Sequence, residues 1–184
     1  MLDHDLLILP FDHRGTFVEK LFGGKGRRAT TDETNKIKEF KEIIFDGFLK
    51  ACSLNVPKTL AGILVDEEFG SKVLTEAKKR GLTFAMPLEK SGQDEFDFEY
   101  ADWQNHIKQF SPTYTKVLVR YNPESDRETN LRQLKKLKLL NDYLKSANMN
   151  FLFELLVPAT ANQLSEFGGE KESYDLHLRP KLMV

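Results

Sequence analysis

Short apolar segments alternate with longer amphipathic segments along the whole chain. The clearest apolar segment runs from Tyr114 to Pro123, and its period-two alternation places Lys116, Leu118 and Arg120 on one face. Both faces are mostly apolar, which is typical of a strand covered on two sides in a parallel sheet. Four further strands are predicted at residues 6–11, 60–65, 82–88 and 150–157.

The segments between these strands carry helical signals. Thr30 and Glu33 fit a capping box, and apolar residues then recur at helical spacing up to about Cys52. Further helices are predicted at residues 72–80, where Ser71 would be the cap, at residues 102–110, and from Leu131 to about residue 148. The acidic and aromatic residues 93–100 are interpreted as an ordered loop.

Strands and helices alternate about five times, which predicts parallel strands joined by right-handed crossovers. An open doubly wound sheet and part of an eight-stranded TIM barrel both fit this order. Charged residues follow every predicted strand, and this favours the α/β barrel, since barrel enzymes draw catalytic groups from several strand ends. A complete barrel needs about 250 residues, so we expect residues 1–184 to form one incomplete barrel domain, the first five units of a longer protein.

Composition excludes several classes of function. The chain has 27 basic and 28 acidic residues, so its charge gives no basis for binding nucleic acid or an anionic membrane. No apolar segment approaches the roughly twenty residues of a membrane span, and the N-terminus lacks a signal pattern. Cys52 is the only cysteine, which rules out a disulfide within the chain. We therefore expect a cytoplasmic protein.

Polar residues directly after the strands are the candidates for chemistry. Asp12, His13 and Arg14 follow the first strand, where Asp12 either caps a turn or transfers protons, and Arg14 could meet a phosphate. Three adjacent carboxylates at residues 66–68 cannot all face one point on a strand. We interpret them as capping or solvated residues rather than as a metal cluster.

Charged residues inside the last two strands have two interpretations each. Next to other cations, Lys116 would have a depressed pKa, which makes an amine nucleophilic enough to form a Schiff base. Glu154 lies in an apolar segment, either as a buried salt-bridge partner of Lys116 or as an acid/base group, and the two roles are compatible. Glu89 and Lys90, which follow the third strand, are also candidates.

The residues that close the strands resemble an uncharacterised domain family, DUF2090, which is found alone or fused behind the sugar kinase of inositol breakdown. The motifs are PFDHRG at residues 10–15, ILVDEEFG at 63–70, EKSGQ at 89–93, KVLVRYNP at 116–123, and residues 151–160. That family is similar in turn to the class I tagatose-bisphosphate aldolases, which are TIM barrels. The first resemblance covers nearly the whole chain, whereas the second rests on the short motifs.

The resemblance implies a lyase that splits 2-deoxy-5-keto-gluconate 6-phosphate into dihydroxyacetone phosphate and malonate semialdehyde. It implies that Asp12, Lys116 and Glu154 surround the reacting carbonyl. Substrate contacts are predicted for His13, Arg14, Glu89, Lys90, Arg120 and Asn122. His13 replaces a glutamine of the aldolases, which leaves the substrate open. The Schiff-base lysine of these aldolases lies on a sixth strand, so we expect Lys116 to be a helper and this chain alone to lack turnover.

A protonated imine would serve as the electron sink, so neither a cofactor nor a metal is expected. An alternative from another class is a catalytically incomplete barrel fragment that binds a sugar phosphate. Such a fragment could also bind a complementing chain, or a second copy of itself, through exposed edges at strands one and five. A metal-dependent aldolase is a third interpretation, although none of the four histidines forms a ligand-spaced pair.

Overall fold

The computed structural model describes residues 5–184, in which five strands alternate with helices. The strands are β1 (Leu7–Pro10), β2 (Ala61–Leu64), β3 (Thr83–Pro87), β4 (Tyr114–Arg120) and β5 (Asn150–Leu156). The helices are α1 (Gly15–Phe22), α2 (Thr31–Leu54), α3 (Glu67–Lys79), α4 (Trp103–Phe110), α5 (Arg127–Ser146), α6 (Ala161–Glu166), α7 (Lys171–His177) and α8 (Arg179–Leu182). All five predicted strands are confirmed, each somewhat shorter than predicted.

The five strands form one parallel sheet in the order β1-β2-β3-β4-β5. This order has no switch point, and the sheet curls into a half-barrel, as expected for a partial TIM-like barrel. In a flat sheet, three spacings of about 4.8 Å would separate β1 from β4 by about 14 Å. Lys116 on β4 nevertheless reaches Asp12 after β1 at 3.1 Å, because the curl brings the strand ends together.

The two faces of the sheet have different partners. The register pairs Lys116 with Leu152 and Leu118 with Glu154, so these side chains share the concave face, as the alternation in β4 predicted. The convex face packs against the helices and forms the main core. Its buried residues include Ile63, Val65, Phe84, Met86, Val117 and Val119.

The helix boundaries confirm some predictions and correct one. Thr30 and Glu33 form the predicted capping box at the start of α2. The prediction of a helix at residues 72–80 with Ser71 as its cap is wrong, because α3 starts at Glu67. The Asp66 side chain caps α3 by accepting a hydrogen bond from the Phe69 N–H at 2.9 Å. The acidic first turn suits the positive end of the helix dipole, so the helix begins five residues earlier.

The leucines of α5 are less buried than their spacing predicted. Leu140 and Leu144 lie in the core, but Leu131 and Leu134 are 47% and 46% exposed. The short helices α1, α6 and α7 were not predicted. None of the helices within residues 5–184 combines the length and hydropathy needed to cross a membrane.

Two helical glycines provide a matched test of the packing of α3 on the sheet. A methyl group at Gly70 would lie 2.3 Å from the Val65 side chain, whereas nothing lies within 4 Å of one at Gly47 in α2. We expect Gly70→Ala to destabilise the fold by about 1 to 3 kcal/mol through overpacking against a stiff β-branched side chain. Gly47→Ala should stabilise it by about 0.5 to 1 kcal/mol. Urea unfolding of both variants checks this, and equal effects would contradict it.

Candidate functional site

A single ammonium group lies at the centre of the concave face. Lys116 Nζ lies 3.1 Å from Asp12 Oδ2, 2.9 Å from Glu89 Oε1 and 3.0 Å from Glu154 Oε2. A lysine ammonium has three N–H donors, and each of these carboxylates can accept one. The site therefore combines one buried cation with three carboxylates.

Strand geometry explains why these residues meet. Asp12 lies two residues beyond the end of β1, Glu89 lies two residues beyond the end of β3, and Glu154 lies within β5. Parallel strands have their carboxyl ends at the same rim, and a spacing of two residues keeps a side chain on the same face. The predicted group of Asp12, Lys116 and Glu154 is thus brought together, and Glu89 joins it.

The pKa of Lys116 is raised, contrary to the depressed value expected from neighbouring cations. Burial lowers this pKa, but the charges of Glu89 and Asp12 and the hydrogen bonds to Glu89 and Glu154 more than offset burial. The expectation was wrong because the neighbours across the sheet are carboxylates. Lys116 is therefore a charged hydrogen-bond donor rather than a free amine.

The three carboxylates differ in how far they are withdrawn from water. The side chain of Glu89 is 10% exposed, whereas that of Glu154 is 47% exposed, so the predicted salt bridge exists but Glu154 is not buried. Burial raises the pKa of Glu89, although Lys116 and Arg14 lower it. Its Oε2 has no hydrogen-bond partner among the described residues. Glu154 is therefore the carboxylate of this group that is most accessible to a further molecule.

Arg14 supports the site from the rim. Its guanidinium donates to the backbone carbonyl of Glu89 at 2.7 Å and to Glu99 Oε2 at 3.1 Å, and it lies 3.6 Å from Glu89 Oε1. Arg14 is 6% exposed. It fixes the segment that carries Glu89, and its predicted contact with a substrate stays a prediction.

Arg120 and Asn122 lie at the end of β4, beside a cavity of about 450 Å³. Arg120 is half-buried and donates to the Gln93 carbonyl at 2.5 Å. Asn122 is buried and donates to the Pro158 carbonyl and to Gln163, at 2.8 and 2.7 Å. The side chain of Asn122 thus connects the loops after β4 and β5. Arg120 remains the more accessible of the two.

His13 and Lys90 are exposed, and within residues 5–184 no hydrogen bond or ion pair joins their side chains to the Lys116 group. The backbone carbonyl of His13 accepts a hydrogen bond from Lys41, and the backbone N–H of Lys90 donates to Asp97. Their predicted contacts with a substrate stay predictions.

A second buried ion pair was missed by the sequence analysis. Lys41 on α2 is 1% exposed and pairs with Asp66, which is also 1% exposed. Burial lowers the pKa of Lys41 and raises that of Asp66, while each charge opposes the change in the other. A signal was present, because Lys41 lies on the buried stripe of α2 with Ile37, Phe45 and Phe48.

A histidine–carboxylate contact joins α4 to the first turn of α3. His106 on α4 stacks on Tyr100 with ring centroids 3.9 Å apart, and its Nδ1 lies 2.7 Å from Glu67 Oε2. Trp103, on the same helix, is buried. Within residues 5–184, no group of three or more histidine, cysteine, aspartate or glutamate side chains has the geometry of a metal site.

One family model matches the chain. The family is described as "Uncharacterized protein conserved in bacteria (DUF2090)", and the match covers residues 2–182. All of the residues that surround Lys116 fall within the match. A search of the curated proteins found none that matches this chain.

Proposed function

The chain belongs to the DUF2090 family, and from this premise and the site geometry we propose that it carries the proton-transfer site of a class I aldolase-type lyase. The substrate class is a sugar phosphate with a ketone and a β-hydroxyl group. The specific reaction proposed is cleavage of 2-deoxy-5-keto-gluconate 6-phosphate in inositol catabolism.

One observation carries this proposal: three carboxylates from different strand ends share a single buried ammonium, Lys116, on the concave face of the half-barrel. Pairs of titratable groups held in contact away from water are typical of sites that move protons. A purely structural ion pair needs one partner, whereas Lys116 has three.

The proposed cleavage breaks the bond between C3 and C4 of the substrate. A primary amine first condenses with the C5 ketone, releasing water and forming a protonated imine. A carboxylate then takes the proton of the C3 hydroxyl, C3 becomes the aldehyde of malonate semialdehyde, and the electron pair moves through C4 to the imine nitrogen. Protonation at C4 and hydrolysis of the imine release dihydroxyacetone phosphate and the amine.

The residues of this site suit the proton-transfer steps. Glu154 is the most exposed carboxylate of the group, so it is assigned as the base that meets the hydroxyl. Lys116, with its raised pKa, donates a hydrogen bond to a substrate oxygen and does not form the imine. Asp12 holds the ammonium in place. The aldolases that the chain resembles carry the imine lysine on a sixth strand, and the described sheet has five.

The raised pKa of Lys116 also favours a second candidate function. Without a neutral amine at the site, the half-barrel would bind a sugar phosphate without cleaving it. Arg120 is half-buried at the rim and would be the anion-binding group in this case.

Chemical rescue separates the two candidates. The purified chain is incubated with 2-deoxy-5-keto-gluconate 6-phosphate in the presence and absence of ethylamine, and dihydroxyacetone phosphate release is followed. We expect dihydroxyacetone phosphate to be released only when ethylamine is present, because ethylamine supplies the primary amine that forms the imine with the C5 ketone. Glu154→Gln should lower the amine-dependent rate about 100-fold, whereas Glu166→Gln, at an exposed position of α6, should leave it unchanged.

Each outcome decides between the candidates. Binding in calorimetry without amine-dependent cleavage supports the binding protein. Neither binding nor cleavage contradicts both candidates. Borohydride reduction followed by mass spectrometry reports covalent adducts, and a substrate adduct on Lys116 would overturn its assignment as a charged helper.

A further inference from the structure

Lys41 lies beneath the loop that carries Asp12. Its Nζ donates to the backbone carbonyls of Phe11 and His13, at 2.7 and 3.1 Å, the two residues that flank Asp12 in the chain. The third donor of the ammonium meets Asp66. All three N–H groups of Lys41 are therefore used, two of them on the β1–α1 loop.

We propose that Lys41 is a positioning residue, which fixes the backbone on both sides of Asp12 so that the Asp12 carboxylate meets Lys116. A carbonyl on each side of one residue leaves its backbone little freedom to rotate. Asp12 is the only member of the Lys116 group that comes from the end of β1, and no other side chain is found to donate to these two carbonyls among residues 5–184.

The neighbours of Lys41 hold its side chain in place, and they oppose the lowering of its pKa by burial. Asp66 supplies the counter-charge and is itself fixed as the cap of α3. The rings of Phe17 and Phe69 each lie 5.9 Å from the ammonium, a distance at which cations are attracted to aromatic faces. The charge of Asp12 also favours the ammonium, whereas that of Arg14 opposes it. One lysine thus connects the ends of β1 and β2 to the site.

A double-mutant cycle tests this role. The background variant is Lys41→Met with Asp66→Asn, which removes both buried charges while asparagine keeps the cap of α3. Asp12→Asn is then introduced into the wild type and into this background, and the urea midpoint is measured. If Lys41 positions Asp12, Asp12→Asn should shift the urea midpoint of the Lys41→Met, Asp66→Asn background by less than about half of its shift in the wild type.

Glu154→Gln is the matched control. Glu154 also binds Lys116, but it comes from β5 and none of its contacts involves Lys41. Its midpoint shift should be the same in both backgrounds. If the Asp12→Asn shift is also the same in both, Lys41 only stabilises the fold and the proposal fails.

A reciprocal measurement needs no change at Lys41, so it remains decisive if the background variant does not fold. The ε-carbon resonance of Lys41 is followed in ¹³C-labelled protein. The chemical shift of this resonance should change in Asp12→Asn and remain the same in Glu154→Gln. If it is unchanged in both variants, the proposal is overturned. Only the effect of Lys41 on catalysis rests on the proposed function. The urea midpoint and the carbon resonance can both be measured without any cleavage reaction.

Discussion

Replacing Lys116 by methionine is expected to have the largest effect on ligand binding. A charged hydrogen-bond donor contributes about 1.5 to 3 kcal/mol, so affinity for the sugar phosphate should fall about 10- to 150-fold. The variant should also be less stable by about 3 kcal/mol near pH 7, because Asp12 and Glu89 would lose the buried ammonium that they share. Calorimetric titration and urea unfolding measure the two effects.

The loss of stability in Lys116→Met should depend on pH in a definite direction. Burial already raises the pKa of Glu89, and removing the Lys116 charge raises it further above the unfolded value of about 4.3. The folded state then binds more protons than the unfolded state, so the stability of the variant rises as pH falls. The deficit relative to the wild type should be smaller at about pH 5 than at about pH 8.

Lys90→Met provides the control for this variant. Lys90 is exposed and close in the chain to Glu89, so its replacement should change stability by less than about 0.5 kcal/mol. A deficit in Lys116→Met that stays constant with pH would show that lost packing, rather than unpaired charge, causes the destabilisation.

Asp66→Ala is expected to have the largest effect on stability. The change removes the cap of α3 and leaves the ammonium of Lys41 without its counter-ion in a buried position. A lost cap costs about 1 kcal/mol, and an unpaired buried charge costs about 3 to 5 kcal/mol. We expect a total loss of about 4 to 6 kcal/mol in urea unfolding, mostly from the unpaired lysine.

The chain offers a matched control for Asp66→Ala. Asp126 caps α5 by accepting from the Thr129 N–H at 2.7 Å, and this contact is exposed. Asp126→Ala should therefore show the cost of a cap alone, about 1 kcal/mol. Similar losses in the two variants would mean that the buried pair with Lys41 contributes no net stability.

The alternation of side chains made the strands and part of the site predictable. A period of two residues placed Lys116 and Arg120 on one face of β4. A salt bridge to Lys116 was one of the two interpretations of Glu154, and the register of β4 and β5 brings the two side chains to the same face. The order of βα units predicted parallel strands, and the polar residues at every strand end predicted the barrel-like curl. These features follow from local patterns, so the sequence contains them.

Features that depend on distant neighbours were not predictable in the same way. The sign of the pKa shift of Lys116 depends on Asp12, which is 104 positions away in the chain, and on Glu89, which is 27 positions away. Capping was one of the two interpretations of the acids at residues 66–68, and Asp66 does cap α3. The helix start was still misplaced, because three adjacent acids suit a solvated loop equally well. Only Lys41, on the buried stripe of α2, carried a local signal that was overlooked.

The full occupancy of the Lys116 donors has a consequence for any ligand. With each N–H already accepted by a carboxylate, an incoming oxygen can reach the ammonium only by displacing one of them. Glu154 is the carboxylate nearest to solvent and would leave first. A bound ligand would then replace Glu154 as a hydrogen-bond acceptor of Lys116. The displaced Glu154 carboxylate, which is the proposed base, would become free to act on that ligand.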